Sequence, residues 1–360
     1  MLTRILKPFL LASDLLLCFL ALLLGVPLWF LPWDAAAHMG RFYGYCAFLV
    51  WPRATRVAMI NLRRAYGESM DYRKAKTNAR QVFGNLGQSI AEGIQFSRRF
   101  LKGGSAWERL YRPEDPELEH RVRADPRPKI FVTGHLGSWE ATIMMASRRV
   151  GANSAVIARR VDNPFLNSVV QILRMDHHSR WIDKRGAVFE CLRRLGAGDS
   201  VALLMDENGG WRGSYVNFFG RPASTRKTAA LLSLCTGAPI VVGAAVRGCD
   251  DVKFLFKLAV IDPRCFPTGP ESILKITQQI MTVYEGWVRA APLQWRWIHW
   301  RWKNRPDGSE ETYTRRDLNA CFVQPQTHPK QNAGVCQRMT PGLDPVKRFT
   351  TGTQRTQDDF

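Results

Sequence analysis

From Pro128 onward the sequence alternates short apolar runs with helical patterns, and this alternation limits the fold more than any other feature. "KIFVTG", "SAVIA", "RWID", "SVALLMD", "PIVVGAAV" and "KFLFKLAVI" read as strands. Between them, "SWEATIMMASRRVG", "PFLNSVVQILRM", "GAVFECLRRLGAG" and "TRKTAALLSLCTGA" read as helices, several closed by glycine. Strands separated by helices predict an α/β fold, with a mostly parallel central sheet flanked by helices. In such sheets, sites gather at the carboxyl ends of the strands. His135 and Asp206 both stand at such ends.

The amino-terminal segment obeys a different rule. Arg4 and Lys7 precede a long apolar run, and from Leu15 to Trp33 no residue is charged. Such a run is long enough to cross a hydrocarbon core as a helix. The two basic residues favour a cytoplasmic amino end, and Trp29 and Trp33 would then lie at the opposite interface. An uncleaved transmembrane or membrane-associated anchor over residues 1–36 is the expectation. A cleavable signal peptide competes with it, because "DAAAH" offers a small-residue cleavage site. A buried hairpin helix is the third reading, and Asp14 fits none of them well.

Residues 37–305 form the expected α/β domain. Its first part holds "YGYCAFLVW" and "VAMINLRRAYG", suited to packing on the anchor or resting on the bilayer. A basic helix follows, with Val82, Phe83, Leu86, Ile90 and Ile94 at helical spacing. Beyond Arg305 the chain is polar and aperiodic, which predicts a disordered tail over 306–360.

The chain carries a formal net charge of +20 over its 360 residues. That field suits an anionic partner: nucleic acid, an anionic membrane surface or an acidic protein. The eight cysteines include no C-x-x-C pair, so zinc-ribbon and thioredoxin readings lack support. Asp176, His177 and His178 do not make a metal site, since adjacent histidines point apart and no third ligand matches. In "WRWIHWRWK", aromatic and basic residues alternate. As a strand it would be a membrane-interface belt or a buried strand covering the sheet. A stacking platform for nucleic acid is the remaining reading. An anchored chain argues against it, and no nucleic-acid partner is expected.

"VTGHLGSWEA" carries the candidate chemistry. A histidine can take a proton in a transition state, and a carboxylate can fix its tautomer and steady the imidazolium. Gly137 lets the backbone turn, Ser138 is placed to cap the next helix, and Glu140 on its first turn could fold back to the ring. No serine or cysteine stands where a nucleophile elbow would put one, so the base would act on a hydroxyl of the substrate. The turn amides near Gly137 are candidates for stabilising an oxyanion.

"GHLGSWE", "IARRVDNPFLN" and "LLMDENGGWRGSYVNFFGRPASTRKTAALLSLCTGAPIV", with a lesser echo in "QWRWIHWRWKNRP", make the chain resemble the bacterial lipid A biosynthesis acyltransferases. These are the lauroyl and myristoyl enzymes of the wider lysophospholipid acyltransferase superfamily. The resemblance runs from the amino-terminal anchor to about Arg305. It implies His135 as general base and Glu140 as the acid that orients it. It places Arg159 at the acceptor's headgroup or phosphate, and Asp206 beside the histidine in the substrate site. It implies an acyl–acyl carrier protein or acyl-CoA donor, a glycolipid acceptor, and no metal or other cofactor. The resulting expectation is a membrane-bound O-acyltransferase at the cytoplasmic face of the bacterial inner membrane, with an acidic acyl carrier protein as partner. Two rivals stand beside it: the same chemistry on a phosphatidylinositol mannoside or aminolipid, and a basic membrane or nucleic-acid binding protein without catalysis.

Overall fold

The computed structural model describes residues 2–101, 109–149, 154–158, 161–173, 179–183, 186–248 and 252–323. Four helices open the chain: α1 (Leu2–Phe30), α2 (Trp33–Val50), α3 (Pro52–Tyr66) and α4 (Tyr72–Leu101). The α/β region continues through β1 (Tyr111–Pro113), α5 (Pro116–Ala124), β2 (Ile130–Thr133), α6 (Trp139–Arg149), β3 (Ser154–Ala158) and α7 (Pro164–Leu173). Next come β4 (Ser179–Asp183), α8 (Ala187–Gly196), β5 (Ser200–Leu204), β6 (Ser214–Phe218), β7 (Arg221–Thr225) and α9 (Thr228–Thr236). It closes with β8 (Ile240–Arg247), β9 (Phe254–Ile261), α10 (Pro270–Ala290) and α11 (Arg315–Val323).

Among the described residues, seven strands form the main sheet in the order β1-β9-β8-β2-β5-β3-β4, and β6 and β7 pair separately as a hairpin. Pairing is parallel throughout the sheet except between β8 and β9. All four residues of β2 are buried, as expected for a central strand covered on both faces. Ile130 and Val132 join the large core with residues of α9 and α10, while Phe131 packs with Val122 of α5 and Ile143 of α6. The two-residue period of the strand thus feeds two separate cores. The α/β expectation holds in its mostly parallel sheet, its flanking helices and its apolar first helix.

Three expectations fail. Trp33 does not lie at a membrane interface opposite the domain. It is buried, and its ring meets Phe96 at 5.5 Å and Phe254 at 5.9 Å, both edge-on.

The "WRWIHWRWK" stretch is neither strand nor belt. It runs as short turns, with Trp295, Trp297 and Trp302 buried against Phe218 and Phe219. Side chains satisfy its backbone in place of a ladder: Asn61 donates to the carbonyls of Trp297 and His299, both at 2.7 Å. Fully buried Arg301 donates to the Ser224 carbonyl and the Thr225 hydroxyl, each at 2.6 Å. Tryptophans this deep offer neither lipid nor nucleic acid a surface.

The segment after Arg305 is ordered as far as Val323, not disordered from 306. Glu311 binds Arg64, Arg221 and Arg305 at 2.6 to 2.8 Å. Tyr313 and Cys321 pack on Val57 and Ile60 of α3. Three arginines from separate parts of the chain hold what the segment's own composition could not. The remainder of the predicted tail lies outside the described residues, as do Arg159, Asp176, His177 and His178.

Candidate acyl-transfer site

Strand register creates the site. In the parallel β2–β5 pair, Thr133 stands opposite Leu204, and the ladder continues with the Met205 amide donating to the Thr133 carbonyl at 3.0 Å. Two residues beyond that pair on each strand come His135 and Asp206. Residues 71 positions apart are thereby brought side by side.

Asp206 is buried and holds His135 twice. Its Oδ1 lies 2.9 Å from the ring Nδ1, and its Oδ2 accepts the His135 backbone N–H at 2.6 Å. The indole N–H of Trp295 donates to the same Oδ2 at 2.9 Å. Burial alone would raise the Asp206 carboxyl. The charge and hydrogen bonds of His135, with Arg296 further off, outweigh it and keep the group well below the usual carboxylate range. An ionised Asp206 needs a donor at Nδ1, which leaves Nε2 as the ring's acceptor. Tyr284 is buried close by; burial and the Asp206 charge push its phenol well up, so it stays neutral.

The carboxylate on the ring is therefore Asp206 and not Glu140. A glutamate on the first turn of α6 leads away from the strand end, and Glu140 packs against α4, where a β-carbon on Gly93 would meet its Cβ and Cγ at 3.2 Å. Glu140 and Trp139 line an apolar cavity of about 400 Å³ with residues of α1, α4 and α7. The Trp139 ring lies 5.5 Å from the His135 ring, so this cavity adjoins the histidine. Its volume falls within the range of small-molecule sites. Ile90 and Ile94, spaced as core residues in the sequence, face this cavity instead.

The Gly137 and Ser138 amides are engaged and do not face an oxyanion. Gly137 N–H donates to the Gln294 carbonyl at 3.0 Å, and Ser138 N–H to the Ala245 carbonyl at 2.9 Å. Gly137 itself has a φ of +63°, and a β-carbon there would overlap the Ala245 carbonyl oxygen. These bonds fix the histidine's backbone.

The residues that sequence reasoning missed come from the tryptophan-rich turns. Trp295 fixes Asp206, and Arg296 pairs with Glu207. The Asn208 backbone N–H donates to His299 Nε2 at 2.9 Å. Burial holds His299 neutral, with its pKa down at about 4. This segment clamps the "DENGG" loop behind the strand ends. The regular alternation of tryptophan with basic residues was the available signal, but it suggested a strand.

The α/β fold thus presents a histidine held by a buried aspartate at parallel strand ends, beside an apolar cavity. The chain belongs to the bacterial lipid A biosynthesis acyltransferases, whose family model matches residues 5–304. It is similar to the lipid A biosynthesis lauroyltransferase of Escherichia coli (strain K12): 25% identical over 295 residues, covering 79% of this chain and 90% of that protein. It is an acyltransferase of lipid A biosynthesis, with a glycolipid acceptor and an acyl donor. The non-catalytic reading falls with that membership.

Proposed function

We propose that this enzyme moves a fatty acyl chain from an acyl thioester to a hydroxyl of a lipid A precursor, at the cytoplasmic face of the inner membrane. His135 is the general base. The acceptor hydroxyl gives its proton to Nε2 as its oxygen bonds to the thioester carbonyl carbon. The tetrahedral intermediate then collapses, the C–S bond breaks, and the departing sulfur takes the proton back from the imidazolium. Asp206 fixes the tautomer at Nδ1 and steadies the imidazolium between the two steps. The apolar cavity takes the donor's acyl chain, with Glu140 on its wall. Arg159 meets an acceptor phosphate, a role that rests on the resemblance of "IARRVDNPFLN". The reaction uses the thioester as co-substrate and calls on no metal or other cofactor.

The carrying observation is the double grip of buried Asp206 on His135 beside an apolar cavity. The positive field of a +20 chain suits both an acidic acyl carrier protein and a phosphorylated glycolipid. The purified enzyme, given acyl–acyl carrier protein and a lipid A precursor with a free hydroxyl, should yield a product heavier by one acyl group. The same assay with acyl-CoA separates the two donors. Thioester hydrolysis with no acylated glycolipid would defeat the reading.

A further inference from the structure

Helix α1 passes the length and composition test for a membrane span: residues Leu11–Phe30 have a mean hydropathy of 2.3, and only 11% of that stretch is buried. At 1.5 Å per residue this 20-residue stretch is about 30 Å long, close to the hydrocarbon thickness. Its contacts describe a different placement. Near the start of the apolar stretch, the Asn163 side chain before α7 donates to the Asp14 carbonyl at 2.8 Å and to its carboxylate at 3.2 Å. At its far end, Gln95 of α4 donates to the carbonyls of Leu28 and Leu31, and Arg98 donates to that of Trp29. Three residues past α1, Trp33 is buried against Phe96 and Phe254. Between these ties, Gly25, Val26 and Trp29 line the cavity opposite Ile90 and Ile94.

An apolar stretch as long as a bilayer is thick is thus fastened to one α/β body near both of its ends. A spanning helix would carry one end to the far side, and the partners of that end would have to follow it. Arg98 would then sit at membrane depth, at a cost of several kcal/mol. Charge points the same way. Arg4 and Lys7 lie in α1 before its apolar stretch, while Arg41, Arg53 and Arg56 follow it. Basic residues mark the cytoplasmic side. Both flanks carry that mark, and a single span can place only one of them there.

We infer that α1 lies in the plane of the membrane. Its outer face, with Leu16, Phe19, Leu23 and Phe30 exposed, sits in the acyl region of one anionic leaflet. Its inner face closes the cavity, and the amino terminus lies on the same side as the body. This placement accounts for a helix that is apolar all round: one face meets lipid and the other an apolar cavity. It also gives Asp14 a partner on the body. The inference rests on the membrane association proposed above and not on the chemistry.

Full-length enzyme with one epitope at the amino terminus and another at the carboxyl terminus tests it, using protease on spheroplasts and on inverted membrane vesicles. Both epitopes should survive in spheroplasts and both should be cut in inverted vesicles. Epitopes on opposite sides would overturn the in-plane helix, and so would a chain recovered in the soluble fraction. Acyl transfer assayed in the same vesicles separates the two readings. Activity with epitopes on opposite sides overturns the topology alone. Absent activity with both epitopes on the cytoplasmic side defeats the acyl-transfer reading and leaves the topology standing.

Discussion

Helix α4 packs against two neighbours in opposite ways. Against α2 the contact is closed: a β-carbon on Gly44 would overlap the Phe83 carbonyl oxygen, and one on Gly87 would overlap that of Gly40. Against α1 the contact is open around a cavity of about 400 Å³, and a β-carbon on Gly25 would touch only Ile94 Cδ1, at 3.9 Å. The same helix thus serves as fixed frame on one side and chamber wall on the other. Glycines at the first contact remove all slack, and polar ties at Asp14 and at Trp29 and Leu31 hold the second contact apart. An apolar helix can therefore leave room for a lipid chain without the gap collapsing.

Substitutions should separate the two contacts. Gly44→Val forces backbone apart at the closed one and should cost about 3 kcal/mol, read as a lower denaturant midpoint. An unchanged midpoint would show that the α2–α4 contact is not tight. Asp206→Asn acts next to the open side and leaves the fold in place. With its single oxygen facing the backbone and indole N–H groups, its amide would face Nδ1 and force the proton to Nε2. Transfer should fall about 100-fold, or about 2.7 kcal/mol, with KM little changed. A rise in KM with kcat intact would make Asp206 a binding residue instead.

Gly25→Leu tests the cavity itself. Stability should move by less than about 1 kcal/mol, since the helix gains propensity. The preference among acyl donors should shift about tenfold toward shorter chains. Unchanged donor preference would remove the acyl chain from this cavity.

The smallest expected effect concerns His299 in the tryptophan-rich turns. Between its ordinary value of 6.5 and about 4, the unfolded chain protonates His299 while the folded chain does not. Stability should therefore fall as pH drops through that window, and be fully present above it. His299→Gln keeps an acceptor for the Asn208 N–H and should flatten the slope. A slope as steep as in the parent would place the titration elsewhere.

Much of the sheet was legible because its central strands β2, β5 and β8 are buried along nearly their whole length and read as short, nearly unbroken apolar runs. His135 and Asp206 stood out as polar residues at the ends of two such runs. Their pairing was not legible, because it depends on β5 lying next to β2, and strand order is set by how helices pack across the sheet. Glu140 looked close in sequence, but α6 carries it to the cavity wall. The tryptophan-rich segment misled for a related reason. Alternation signals a strand only when the backbone is free to pair, and here Asn61 and the "DENGG" loop claim its polar groups. Arg301 reads as a surface charge in sequence; only the converging Ser224 and Thr225 oxygens explain its burial.

The central claim is that His135, set by Asp206, takes the proton from the acceptor. Its most direct test is acyl transfer by purified His135→Ala enzyme, with thermal unfolding measured on the same preparation. The account predicts a loss of about 10²- to 10⁴-fold in transfer, with the unfolding midpoint close to that of the parent enzyme. Full transfer activity in a folded His135→Ala protein would contradict it.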